Sequence, residues 1–454
     1  MAVKKKYDVI IVGGGVTGAS LLYLLSEYSN VRSVLLLEKY GSLASLNSNS
    51  SNNAQTLHSG DIENNYSFEH SKAVKEASER IVRYSARLPS VERRHIIKEC
   101  QKMVLAVGDD EDQILERNYS SGLKDLYPGL RHIGRKGLER IEPSTVKKRD
   151  PDEKVSALLS DNGHTVDFGM LTHSFVAEAK KRKRVKIDVL LNTRVTSITG
   201  QDGEYEIATN RKSYRGRFVV FAAGTYSLYF AKSMGYEKNL SILSVGGNFY
   251  TSPGVLRGKV YRVQIGGIPF AAVHGDPDFH NGNITRFGPT VTIPPLLEKH
   301  HPETFIDYAK SFDFDIPTMV SLKRILFNKD IERIIRNNAI YGLPVVGKYY
   351  FLKNEVAKIV PAMKYGDITF GERIGGIRPQ IIDEKKKALV LGAGKIREPG
   401  LIFNITPSPG ASSCIQAALE DVVDITKHIG RGFDVKKFEK DLGKIESEAV
   451  LKKL

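Results

Sequence analysis

The chain has 454 residues, enough for two or three domain-sized cores, and its 41% hydrophobic and 26% charged residues are the balance of a globular, water-facing protein. No apolar run approaches the roughly 18 residues that span a bilayer, and two distant cysteines, Cys100 and Cys414, exclude a disulfide framework and a CxxC redox pair, so thiol and metal chemistry are not expected. The net charge of +15 is the unusual number, and it points to nucleic acid, an anionic membrane surface or an acidic substrate.

The N-terminus passes from Lys4–Lys6 straight into a strand and leaves no room for a signal peptide, so an intracellular chain is expected. Val9 to Val12 is short, apolar and largely β-branched, as a buried parallel strand should be. It runs into Gly13-Gly14-Gly15-Val16-Thr17-Gly18, a GxGxxG that opens an apolar helix over Ala19 to Leu25. Gly13 allows the tight turn, Gly15 lets a pyrophosphate approach the backbone, and Gly18 lets the helix pack closely on the sheet. A second strand, Ser33–Leu37, ends at Glu38, 20 residues past Gly18, where an acid holds a ribose hydroxyl pair. A bound dinucleotide follows from this context.

Gly41–Asn53 is rich in Ser and Asn, and directly after the ribose strand such a polar loop can wrap a cofactor. Helical spacing predicts a helix over Ser71–Ser85, and strands are expected at Gln101–Val107, Val155–Leu159 and Val166–Phe168. A helix from Gly169 to about Lys181 ends in the basic run Lys180–Arg184, where the dipole favours cations. No nucleic-acid recognition module is visible, so nucleic acid is not an expected partner. Strands follow at Val185–Leu190, Val195–Ile198 and Glu204–Ala208, with Gln201-Asp202-Gly203 as the turn. Phe218–Phe221 then ends in the small residues Ala222-Ala223-Gly224, which let a ligand approach.

From Leu243 to about Tyr365, apolar segments such as Gly247–Thr251, Lys259–Val263 and Phe270–Val273 alternate with Gly/Pro turns, the pattern of an antiparallel sheet. Helices are expected over Pro302–Ser311 and Thr318–Asn338. The end returns to strand, glycine and helix: Ala388–Leu391, Leu401–Ile405, Pro407–Ala411, then a helix from Ser412 to about Ile429. The expected class is α/β, α+β in the second domain: a Rossmann-like nucleotide-binding domain built from residues 1–95, 155–240 and 366–454, with a mainly antiparallel substrate domain from 96–154 and 241–365. Val435–Leu454 reads as a basic amphipathic helix, lying on a membrane or packed on its own domain.

The N-terminal glycine loop, the later strand-AAG element and the closing glycine-turn-helix together resemble the flavoprotein family of D-amino-acid oxidase, glycine oxidase and L-2-hydroxyglutarate dehydrogenase. Within it, Asn49–Ser67, His274–Pro277, Thr285–Thr290, Gly375–Gln380 and Thr406–Ser413 look most like the malate:quinone oxidoreductases, especially their shorter bacterial branch. The resemblance covers nearly the whole chain and is vague between Asp109 and Lys154. It implies FAD, oxidation of (S)-malate to oxaloacetate, a membrane quinone as acceptor, and a cytoplasmic enzyme peripheral on the inner face of the cell membrane. L-2-hydroxyglutarate or another 2-hydroxy acid stays open as substrate and oxygen as acceptor, and a non-catalytic flavin-binding protein is the alternative of another class.

Oxidising a hydroxy acid on a flavin needs a base for the hydroxyl proton, cations for the carboxylates and donors at the flavin's pyrimidine edge. His274 is the expected base, with Asp276 to orient it and His58 as the rival. Arg378, in a Gly-Ile-Arg-Pro context, is the expected carboxylate clamp, and Arg286 the second cation. For the cofactor the expected residues are Gly13, Gly15, Gly18, Glu38, Lys39, Gln55, Thr56, Val195, Ala223, Gly224, Gly376, Gly410, Ala411 and Ser412.

Overall fold

The computed structural model describes residues 5–63, 66–201, 203–264, 272–312, 316–327, 329–343, 345–386, 388–390, 394–405 and 410–454. Lys4, Asp202, Phe270, Leu391 and Thr406–Pro409, which carried expectations above, lie outside these residues.

Lys6–Val12 is the centre of the first sheet, and its Val9, Ile10 and Ile11 are fully buried. Ser33–Leu37 and Tyr214–Phe221 flank it in parallel, and Lys186–Leu190 and Leu401–Ile405 extend the sheet outward, again in parallel. Strands buried on both faces read as continuous apolar runs, which is why Val9–Val12, Val34–Leu37 and Phe218–Phe221 do not alternate. Val195–Gln201, Glu204–Thr209 and Gly394–Glu398 add antiparallel pairs, for eight strands among the described residues. The helix Val16–Tyr28 packs between Phe168–Lys180 and Cys414–His428 on one face of this sheet.

The second sheet has ten strands among the described residues. Its long strand, Leu240–Pro253, pairs with Ile377–Asp383 on one side and Ile284–Thr292 on the other, both antiparallel. His274–Pro277 and Lys259–Arg262 continue the sheet, and a parallel step to Lys102–Val107 joins it to Val155–Ser160 and Leu130–Gly134.

Four segments assigned on sequence to the nucleotide-binding part, Val155–Ser160, Thr369–Gly371, Ile377–Asp383 and Ala388–Val390, are members of this second sheet. Val155–Ser160 is buried along its whole length because it is sandwiched between Lys102–Val107 and Leu130–Gly134. Ile377–Asp383 joins because it pairs, residue for residue, with Leu240–Gly246. The single helix expected over Thr318–Asn338 is two, Ile316–Leu326 and Lys329–Tyr341. The C-terminal stretch also divides, into Val435–Leu442 and Glu448–Leu451. Phe438, Leu442, Ile445 and Val450 of this stretch are buried in its own fold, with Phe438 meeting the Tyr28 ring edge-on at 5.4 Å, while Leu451 and Leu454 are exposed. Among the described residues no helix is long and apolar enough to cross a membrane.

Candidate active site

A cavity of about 330 Å³ runs from the first glycine loop to the strand Ile377–Asp383 of the second sheet. At its first end the backbone dictates glycine. Gly13 has φ +115°, and a Cβ there would stand 2.3 Å from the Ala222 carbonyl oxygen. A Cβ on Gly18 would stand 2.0 Å from the Gly13 carbonyl oxygen. Gly13, Gly14, Gly15, Val16 and Thr17 line the cavity at the start of the helix, where backbone N–H groups have no intrahelical partner. Gly18 packs behind them against Ile11.

Glu38 lines the same end and is buried. Its Oε2 accepts from the Gly14 amide at 2.7 Å and Oε1 from the Tyr40 amide at 2.9 Å. Burial raises its pKa, and those two amides pull it back. Lys39 lines the wall beside it, held 2.6 Å from Glu298 Oε1 and 4.4 Å from the centre of the Tyr226 ring. Val195, Ala223 and Gly224 complete this end. A buried acid, a helix start and a glycine surface suit an adenosine diphosphate, so the residues present fit the first half of FAD.

The loop after Glu38 forms the middle of the wall, and the two sheets meet across it. Asn47 Nδ2 donates to the Ile377 carbonyl at 2.7 Å, and a Cβ on Gly376 would reach within 2.5 Å of Asn47 Oδ1. Gln55 lies in the left-handed region with φ +55°, and its Oε1 accepts from the Phe279 amide. The Thr56 hydroxyl lies 2.6 Å from the Tyr261 hydroxyl. Ser412 Oγ accepts from the His58 amide at 3.0 Å, which draws the C-terminal segment Gly410–Ser412 to the same wall.

His58 and Arg378 both line the far end. Glu63 Oε1 is 2.5 Å from His58 Nδ1. The loop that carries this pair is pinned from beneath by Lys102, a fully buried lysine bonded to the Leu57 carbonyl, Ser59 Oγ and Asp61 Oδ1. Burial opposes both charges of the Lys102–Asp61 pair, yet each partner holds the other ionised. Arg378 has no ion pair among the described residues, and burial lowers its pKa from the ordinary guanidinium value. Arginine stays charged even so, and offers its fork to an acidic ligand.

Two expected reaction residues sit elsewhere. His274 is buried and is not part of the wall; its ring stacks on Tyr261 at 4.5 Å, and its Nδ1 is 2.6 Å from Asp276 Oδ2. Arg286 is also buried behind the wall. It donates to the Ser50 and Asn53 carbonyls at 3.2 and 2.6 Å and pairs with Asp278 at 3.3 Å. Lys299 was not foreseen. It lines the cavity, donates to the Gly247 and Ile374 carbonyls, and burial alone lowers its pKa to about 8. It follows an unremarkable Leu-Leu-Glu run, and no sequence signal marks it.

The fold is that of FAD-binding oxidoreductases. It is similar to an L-α-glycerophosphate oxidase from Mycoplasma pneumoniae with FAD bound, at TM-score 0.63 and 19% identity over 93% of this chain and 95% of that one. It is also similar to a glycine oxidase from Geobacillus kaustophilus, at TM-score 0.62 and 18% identity over 96% of this chain and 98% of that one. In sequence it is 37% identical to a probable malate:quinone oxidoreductase of Campylobacter jejuni, over 97% of this chain and 99% of that protein. A malate:quinone oxidoreductase of Helicobacter pylori strain J99 is 36% identical over 98% of this chain and 99% of its own length. The family model described as malate:quinone oxidoreductase matches residues 5–442. The chain belongs to the malate:quinone oxidoreductase family.

Proposed function

We infer that this chain oxidises (S)-malate to oxaloacetate on bound FAD and passes the electrons to a quinone, with substrate held at the His58–Arg378 end of the cavity. The observation that carries the residue assignment is Arg378, a cavity-wall guanidinium with no ion pair among the described residues.

FAD, held through Gly13–Thr17, Glu38, Val195, Ala223 and Gly224, supplies the hydride acceptor. Arg378 grips one carboxylate with two parallel hydrogen bonds and fixes the substrate's orientation. Lys299 adds positive charge on the wall and favours a doubly anionic ligand. His58 takes the hydroxyl proton at Nε2, because Nδ1 is committed to Glu63 and the residue lines the cavity. His274, expected as the base, is assigned a positioning role through Tyr261, whose hydroxyl reaches Thr56 in the wall. Arg286 is assigned to holding the Ser50–Asn53 segment. Gln55, Thr56, Gly376, Gly410, Ala411 and Ser412 are assigned to the flavin end, and Lys39 to the adenosine end.

The two-part organisation of the chain belongs to the same reading, the first sheet serving the cofactor and the second the substrate. So does a position on the inner face of the cell membrane, on anionic lipid, which the +15 net charge supports. Steady-state turnover with a dye acceptor and a panel of 2-hydroxy acids tests the assignment. Turnover with malate above all others is expected; turnover with 2-hydroxyglutarate and none with malate would overturn it.

A further inference from the structure

The turn between the helices Lys329–Tyr341 and Val346–Phe351 presents apolar side chains to solvent. Leu343, Val345 and Val346 are 53%, 73% and 49% exposed, and Tyr349 and Tyr350 follow at 51% and 41%. Clustered exposure of this kind marks an interaction surface. The tip stands on a fixed base. Tyr341 and Phe351 are buried, Phe351 stacks on Tyr250 at 4.6 Å, and the Tyr365 hydroxyl donates to the Val345 carbonyl at 3.2 Å.

Along the chain, the charge on either side of the tip has one sign. Between Glu332 and Glu355 there is no acidic residue, while Arg333, Arg336, Lys348 and Lys353 are basic. Lys348 Nζ lies 4.2 Å from the centre of the Tyr365 ring, so this cation stays beside the apolar tip. Exposed aliphatic side chains, exposed tyrosines and flanking cations are the residue types that suit the acyl chain, the interface and the headgroup of an anionic bilayer. The other basic amphipathic stretch, at the C-terminus, buries Phe438, Leu442, Ile445 and Val450 in its own fold and, of its large apolar residues, exposes only Leu451 and Leu454.

We propose that the tip formed by Leu343, Val345, Val346, Tyr349 and Tyr350 inserts into the headgroup region of an anionic lipid bilayer and is the surface by which this protein docks on the membrane. The helix Ile316–Leu326 packs both on the helix Lys329–Tyr341 that leads to the tip and on the strand Ile377–Asp383 that carries Arg378. The proposal deepens the quinone-linked reading and rests on it. Dye-linked malate oxidation without vesicles reads that function separately.

The chain contains no tryptophan, so Val345→Trp adds a single fluorescent reporter. With vesicles of equal parts phosphatidylglycerol and phosphatidylcholine its emission should shift to the blue, and Val91→Trp, a remote and exposed position, should not. Leu343→Ser with Val346→Ser, and separately Lys348→Glu with Lys353→Glu, should each cut the fraction that pellets with these vesicles about tenfold. Dye-linked turnover should stay at the parent value in both. Parent-like pelleting of both double variants, or no blue shift of Val345→Trp on bound vesicles, would overturn the proposal. So would a parent protein that does not pellet. Absent malate turnover in a parent that still pellets through this tip would count against the functional reading alone.

Discussion

The His58 imidazole and the Glu63 carboxylate form a close pair at the cavity wall, with 2.5 Å between Nδ1 and Oε1. The contact fixes the tautomer and leaves Nε2 to accept a proton. His58→Asn is therefore expected to lower kcat for malate about 10²- to 10⁴-fold, with the flavin still bound. His274→Asn should cost less, because its ring lies behind Tyr261. Dye-linked kinetics of the two variants check this, and a larger loss from His274→Asn would return the role of base to that residue.

Arg378→Ala removes the wall guanidinium that has no competing acid among the described residues. The KM for malate is expected to rise about 10- to 100-fold, the worth of charge-assisted hydrogen bonds. Arg378→Lys should recover only part of this, since an ammonium lacks the planar fork. Unchanged KM in both variants would show that substrate binds elsewhere.

Gly13→Ala places a Cβ 2.3 Å from a backbone oxygen, at φ +115°. A loss of about 2–4 kcal/mol in stability is expected, together with purification free of flavin. Gly224→Ala is the contrast: it has φ +59° and nothing within 4 Å of the added Cβ, so about 1 kcal/mol is expected. Thermal unfolding and the flavin absorbance of the purified variants measure both.

That the first glycine loop and Arg378 line the cavity was legible in the sequence because each is a local signal. The loop sits in strand, turn and helix, and the arginine in its Gly-Ile-Arg-Pro setting. The location of His274 was not legible. It follows from register across the hairpin, which sets His274 opposite Tyr261 and so turns its ring onto the tyrosine instead of the cavity. Arg286, expected as the second cation for substrate, instead donates to the Ser50 and Asn53 carbonyls. Lys102 and Lys259 were passed over as two lysines among many. Their burial, with Asp61 and Asp276 as partners, exists only once distant strands are paired.

Asp276 gives the fold a defined acid limit. Burial would raise its pKa, but His274 and Lys259 override this and hold it at about 2, below its ordinary 3.8. Burial drives His274 toward its neutral form, so Lys259, 3.3 Å from Oδ1, is the lasting counter-charge. A depressed carboxylate contributes stability that is present above the unfolded pKa and is lost as pH falls toward the folded one. Stability should thus fall between about pH 4 and pH 2. Asp276→Asn should be less stable at neutral pH, where Lys259 is left unpaired, and lose less over that acid window. Urea unfolding across the pH range would show it; parallel curves for parent and variant would contradict it.

Malate gives up its hydride inside this cavity while Arg378 holds it. Anaerobic mixing of the purified, FAD-loaded protein with (S)-malate, followed by absorbance, tests it most directly. The flavin band should bleach at once in the parent, and in Arg378→Ala only at much higher malate. A band that stays oxidised with malate and bleaches with another 2-hydroxy acid would contradict the account.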